Sequence, residues 1–298
     1  MTNNQAILSE AIESFLNGLN AIKSIANTHA ESKKLIHIAS GVELYISDLQ
    51  EMADKEPKAE SSDSTKPSVK EFKHHPKSNE DLQKLVKLKK VNLGEIDVSA
   101  VSDFSELFLG SVRSDFSGIE SWDVSHVTNM SSMFNGAENF NADISGWDVS
   151  NVTNMESMFE KAGSFNQSLE NWNVSNVTNM KGMFCDARSF NQPLEKWDVS
   201  SVTDMSSMFE NARSFNQPLN DWDVLNVLNM DSMFRSSSFN QPLKNWDVSK
   251  VRNINSMFMS TSFQQNLESW NIASVDRSSM CNVFYWSPMS DKEPSWYY

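Results

Sequence analysis

The sequence predicts an α/β repeat fold: a solenoid of parallel strands and short helices, preceded by an α-helical hairpin or coiled-coil arm. Three observations carry that expectation. Tryptophans recur at positions 122, 147, 172, 197, 222, 246 and 270, spaced by 25, 25, 25, 25, 24 and 24 residues, and a period in the twenties marks stacked repeats. Within each period the apolar spacing changes from alternation to i, i+3, i+4, the change expected where a strand gives way to a helix. Upstream of the repeats lie two apolar seams with heptad spacing.

Taken in chain order, the arm comes first. Leu8, Ile12, Phe15, Leu19, Ile22 and Ala26 form one seam, and Leu35, Ile38, Val42, Tyr45, Leu49 and Met52 form the other. Thr28 and Glu31 between them have the spacing of a capping box, so a second helix is expected from His29. Residues 1–54 therefore read as two helices joined by a short turn. Their seams can pair with each other or with another copy, which makes Leu8, Ile12, Phe15, Leu19, Ile22, Leu35, Ile38, Val42, Tyr45 and Leu49 the candidate oligomerisation residues. Residues 55–77 offer little to bury and contain three prolines, a flexible polar linker. Residues 78–95 hold Ser78 and Asp81 in capping positions, with Leu82, Leu85, Val86 and Leu88 on one helical face. They read as a cap helix and the entry to the first strand.

Residues 96–284 then make about eight coils of 24–26 residues. In one coil, Leu194, Trp197, Val199 and Val202 have the L-x-x-L-x-L spacing of leucine-rich repeats, and Trp197 and Val199 alternate with Lys196, Asp198 and Ser200. Met205, Met208 and Phe209 follow at i, i+3 and i+4, one face of a short helix that Thr203 would cap. Phe190-Asn191-Gln192-Pro193 turns the chain into the next strand. Each coil thus supplies about eight apolar side chains, too few to fold alone, so neighbouring coils must share their faces. The last segment, 285–298, is aromatic and reads as a C-terminal cap or tail.

The units WDVSNVTNMESMF (147–159) and FNQPLEKWDVS (190–200) resemble the BspA-like leucine-rich-repeat surface proteins of bacteria, and LGEIDVSAVSDFSELF (93–108) is similar to that family's degenerate first repeat. The resemblance covers about residues 79–284. It implies a leucine-rich-repeat-like solenoid, roles in adhesion and protein binding at a cell surface or after secretion, and no catalytic residues. The first twenty residues carry Glu10 and Glu13 and no basic start, unlike a secretory signal. As read, then, the chain is cytoplasmic, against the location that the resemblance suggests.

Charge narrows the partner. Residues 1–95 hold 13 Lys against 14 Asp and Glu, whereas residues 96–298 hold 12 Lys and Arg against 25 Asp and Glu. An acidic body repels phosphate backbones, which argues against nucleic acid. No run of apolar residues approaches a membrane span. The outward position after each Trp reads Asp97, Asp123, Asp148, Asn173, Asp198, Asp223, Asp247 and Asn271. Two accounts of this row are open. The carboxylates accept backbone N–H groups in the following turn, helped by Ser125, Ser150, Ser175 and Ser200. Alternatively, they form a face for cations or for the basic groups of a partner. The Asp residues of this row are the candidate partner-binding residues.

Other patterns point to structure. The Met-x-x-Met pairs could be soft metal ligands, but their register with Phe fits core filling. Asn141, Asn166, Asn191, Asn216 and Asn240 suit a ladder that satisfies turn backbone. Cys185 and Cys281 lie about four coils apart, too far for a disulfide. No nucleophile motif, metal motif or phosphate loop occurs, so neither cofactor nor metal is expected and the chain reads as non-enzymatic. The expected function is protein binding or adhesion through the outer surface of the acidic repeats. The alternative is an intracellular scaffold or inhibitor, multimerised through the N-terminal helices.

Overall fold

The computed structural model describes residues 71–297. The arm and its seam residues lie outside that range, as does most of the linker. Lys73 and His74 N–H donate to the Glu95 carbonyl (2.9 and 3.2 Å), and Asp97 N–H donates to His74 O (2.8 Å). The end of the linker segment is therefore laid against the first coil. The Lys73–Glu95 (2.6 Å) and His75–Asp97 (3.0 Å) pairs flank this contact.

Helix α1, Asn79–Val86, follows. Ser78 caps it by accepting the Asp81 N–H, and its inner face buries Leu82 and Val86. Its side chains also close the first coil: Asn79 Nδ2 donates to Asp103 O and Ser105 O (both 2.9 Å). Arg113 is buried, and its guanidinium donates to the carbonyls of Val86 (3.1 Å), Leu88 (3.2 Å) and Val91. These are carbonyls at and beyond the end of α1, where a helix leaves acceptors without partners.

The stacked coils do not have the α/β construction that the sequence predicts. Among the described residues there is one α-helix, α1, and no strand; the rest is turns and short 3₁₀ segments. The leucine-rich-repeat solenoid implied by the resemblance falls with it. The reason lies in where the backbone donors go. In the Trp-x-Val stretch, Trp147 N–H bonds Ile144 O (3.1 Å), Val152 N–H bonds Val149 O (2.9 Å), and the Ser150 N–H goes to the Asp148 carboxylate (3.0 Å). These donors close turns within the coil and leave no ladder to build. Strand-like pairing between coils is confined to single residues, in a parallel series of bridges Asp103, Asn129, Asn154, Asn179, Asp204, Asn229, Asn253.

The predicted Met/Phe helix is overturned in the same way. N–H groups of Met130, Ser132, Phe134 and Gly136 donate to Asn154, Glu156, Met158 and Glu160 of the next coil, while those of Met133, Asn135 and Ala137 close turns onto Met130, Ser132 and Phe134. An α-helix would direct all of these along its own axis. Sending alternate donors to the neighbour needs a left-handed residue twice per coil. Ser132, Ser157, Ser207, Ser232 and Ser256 supply one position (φ 54–55°), and Lys161, Asp186, Asn211, Ser236 and Ser260 the other (φ 55–57°). Each costs roughly 1–2 kcal/mol for an L-residue, offset by the inter-coil bond it permits.

The core runs the length of the stack. Phe134, Phe159, Phe184, Phe209, Phe234, Phe258 and Phe284 lie face to face with centroid steps of 5.6–5.9 Å, each such contact worth roughly 0.5–1.5 kcal/mol beyond burial. The Met pairs fill the space beside them and are fully buried in the central coils. Every coil tryptophan donates its indole N–H one coil back. Trp122 reaches Leu93 O (2.8 Å), Trp197 reaches Leu169 O (2.9 Å) and Trp270 reaches Leu243 O (3.1 Å). Trp296 continues the series on the last coil, bonding Leu267 O (2.8 Å) and stacking on Trp270 (6.3 Å).

Candidate functional site

The Asp row is positioned by a turn repeated in each coil. The backbone N–H two residues on donates to Asp97 (3.1 Å), Asp123 (3.0 Å), Asp148 (3.0 Å), Asp198 (3.0 Å), Asp223 (3.1 Å) and Asp247 (3.0 Å). Asn173 and Asn271 make the same turn (both 3.2 Å), so the turn needs a side-chain oxygen and not a charge. The structural account of the row is thus built into the backbone. The same turn fixes one oxygen of each group, while Asp123, Asp148, Asp198, Asp223 and Asp247 remain exposed.

Hydrogen bonds favour the ionised form of four of these groups. The Ser125, Ser150 and Ser249 side chains, followed by their N–H groups, hold Asp123, Asp148 and Asp247 below the ordinary carboxylate range. Asp97 sits lowest, at about 2, through the Ser99 side chain first and then the His75 imidazole. Burial plays little part, because a carboxylate that accepts hydrogen bonds is favoured in its charged form. Asp221 joins Asp223 and Asp247 around a shallow crevice of about 290 Å³ between two coils. The arrangement can hold a basic side chain at several successive positions. It offers no nucleophile or general base in a water-excluding cleft, and among the described residues no three His, Cys, Asp or Glu converge as metal ligands.

The other repeated polar residues serve the stack. Oδ1 of Asn141, Asn166, Asn191 and Asn216 accepts the N–H of Asn166, Asn191, Asn216 and Asn240 in turn (2.9, 3.0, 3.0 and 2.8 Å). A second ladder was not read from the sequence. Asn129, Asn154, Asn179, Asp204, Asn229 and Asn253 each accept the N–H two residues on, at the bridge between coils. Its signal in the sequence is the repeated Thr-Asn-Met at 128–130, 153–155 and 178–180, a polar residue between apolar core positions. Both cysteines are free: Cys185 is partly buried and Cys281 exposed. Tyr285 and Trp286 stack on each other (4.6 Å) and are the most exposed aromatic pair of the last coil.

Comparison with known proteins returns one family. Residues 77–197 and 186–296 match the family described as Mycoplasma protein of unknown function, DUF285. No curated protein and no solved structure matches the chain. No helix among the described residues is long and apolar enough to cross a membrane. The two matched segments span most of the chain and all of its coils, and the chain belongs to the DUF285 family of Mycoplasma proteins of unknown function.

Proposed function

We propose that this chain is a non-enzymatic protein-binding module whose recognition face is the row Asp97, Asp123, Asp148, Asp198, Asp223 and Asp247, and whose partner presents a basic surface. The observation that carries the reading is the combination, in five coils, of a carboxylate fixed by a turn and exposed to solvent. Pre-oriented like charges give a partner electrostatic steering and register without an ordering cost at binding. The resemblance of the repeat motifs to those of BspA-like surface proteins, which concerns sequence and not the fold, supports adhesion at a cell surface as the setting.

Asn at two positions of the row makes the same turn, which supplies a clean test. A variant with Asp123, Asp148, Asp198, Asp223 and Asp247 all changed to Asn keeps every turn acceptor and removes five charges. Wild-type and variant full-length chains are cross-linked on intact producing cells and in lysate, and the captured proteins are compared. The reading expects basic partners that the variant no longer captures, with unchanged thermal unfolding. An unchanged partner set would refute it. Release of the chain from intact cells by added protease supports the surface setting, and protection excludes it.

A further inference from the structure

We propose that the groove between the end of α1 and the first coil docks an acidic peptide segment carrying a large apolar side chain. The groove, about 230 Å³, is lined by Val86, Leu107, Phe108, Gly110 and Val112, with Lys87 and Lys89 beside them. Two of the large exposed apolar side chains of the described residues line it, Leu109 (49% exposed) and Val112 (70%). Apolar exposure concentrated at a groove, and not scattered, marks a contact surface.

Charge selects the occupant. Between Leu82 and Gly94 the chain has four lysines, Lys84, Lys87, Lys89 and Lys90, and no acidic residue, in a protein of net charge −14. Lys84 is held by Glu80 and Asp81. Lys87, Lys89 and Lys90 are exposed, and no described carboxylate pairs with them. The nearby Arg113 is already committed to the Val86, Leu88 and Val91 carbonyls, which also fixes the groove's floor. A basic, partly apolar concavity thus stands on an otherwise acidic molecule, and its complement is acidic with an apolar anchor. This is a different surface from the Asp row, and a partner for one is repelled by the other.

The space is also open at a defined point. A Cβ added to Gly110 meets nothing within 4 Å. The same left-handed position in other coils carries Lys161, Asp186, Asn211 and, in the last coil, Trp286. Gly110→Trp therefore places a side chain over the groove in a backbone conformation that this fold already accepts from an L-residue.

The test uses a display library of random 12-residue peptides panned on the immobilised full-length chain, with the leading peptides synthesised for fluorescence anisotropy. The expected families are two: basic peptides, lost on the five-fold Asp→Asn variant, and acidic peptides with Phe, Trp or Leu, unaffected by it. The acidic peptides should bind roughly tenfold or more weakly to Lys87→Glu/Lys89→Glu, weaken as salt rises, and be blocked by Gly110→Trp. Near-ultraviolet circular dichroism checks that each variant is folded. The proposal fails if no acidic family is enriched, or if its binding survives both groove variants. It also fails if the lysine changes abolish instead binding to phosphatidylglycerol vesicles, or a self-association seen by sedimentation, since the groove would then belong to a membrane or to a second copy. Failure of the basic family alone would overturn the Asp-row reading and leave this one standing.

Discussion

Trp197→Phe isolates the contact that ties each coil to the one before it. The indole of Trp197 is 3% exposed and donates to Leu169 O at 2.9 Å. It also lies parallel to the next tryptophan, Trp222, at 6.5 Å. Phe keeps an aromatic ring but loses the donor. The hydrogen bond itself is worth roughly 1 kcal/mol net, and Leu169 O keeps its other partner, the Trp172 N–H (3.0 Å), so no unpaired carbonyl adds to the cost. The smaller ring forfeits about 1 kcal/mol more in contact and burial. The expected loss is about 2 kcal/mol. Trp296→Phe is the control: it removes the same bond, to Leu267 O, from a partly buried side chain at the end of the stack, where water can replace the donor. Its cost should be about 1 kcal/mol. Urea unfolding followed by both tryptophan fluorescence and far-ultraviolet circular dichroism gives the comparison, with coincident transitions checking that the coupled coils unfold together. If Trp197→Phe costs less than about 0.5 kcal/mol, or no more than Trp296→Phe, the indole bonds are incidental and tryptophan is there for its size alone.

Three further expectations follow from the same geometry. A Cβ on Gly118 (φ 91°) would lie 2.1 Å from Gly94 N and 2.7 Å from Gly94 Cα, so Gly118→Ala should cost about 3 kcal/mol or more. Gly146→Ala, which meets nothing within 4 Å, should stay within about 0.5 kcal/mol, both variants being read by the same urea unfolding. Burial, together with Glu210, Glu160 and Asp186, pushes the Cys185 thiol up to about 12. At pH 8 iodoacetamide should therefore modify exposed Cys281 and spare Cys185 until urea unfolds the chain, as read by peptide mass mapping. Asp97, held at about 2 against an ordinary 3.8, favours the folded state above its unfolded pKa and loses that contribution as pH falls from about 4 through about 2. Ser99→Ala should raise the Asp97 pKa measured by carboxyl-carbon NMR, and no movement would remove Ser99 as its main cause.

Much of the architecture was legible because periodicity survives an error about local conformation. Phe159, Phe184 and Phe209 were recognised as core from their spacing alone, and they are fully buried. The elements were misread because apolar spacing reports which side chains point inward, not where the backbone N–H groups go. Met205, Met208 and Phe209 face the core as a helix would have them. The left-handed φ of Ser207 (54°) nevertheless breaks the helix between the two methionines, and a serine gives no warning of it where Gly or Asn would. The Asp row was visible, and so was its turn role, because Asp followed two residues later by Ser is a turn signal in any fold. Arg113 was not legible. Three of its partners are backbone carbonyls 22 to 27 residues away and a fourth is the Asp115 carbonyl, and carbonyls have no sequence signature.

The two ends of this division bear on specificity. Residues that recur in every coil are committed to the stack: the indole N–H to the coil before, the Asn141 series to the coil after, one Asp oxygen to its own turn. A row repeated with so little variation can draw in a basic partner, but it cannot alone distinguish one basic partner from another. Discrimination must come from positions that change between coils while keeping the same backbone. Ser131, Glu156, Lys181 and Asp231 are such a set, each accepting at its carbonyl the same bond from the preceding coil. Their backbone is fixed and their side chains are not, which is the condition under which a repeat surface can be rewritten without cost to its fold. Exchanging Lys181 and Glu156, which form a 3.2 Å pair across neighbouring coils, would preserve the pair and invert its order along the surface. A partner that reads only total charge would bind the exchanged chain equally well, and one that reads the coils in sequence would not.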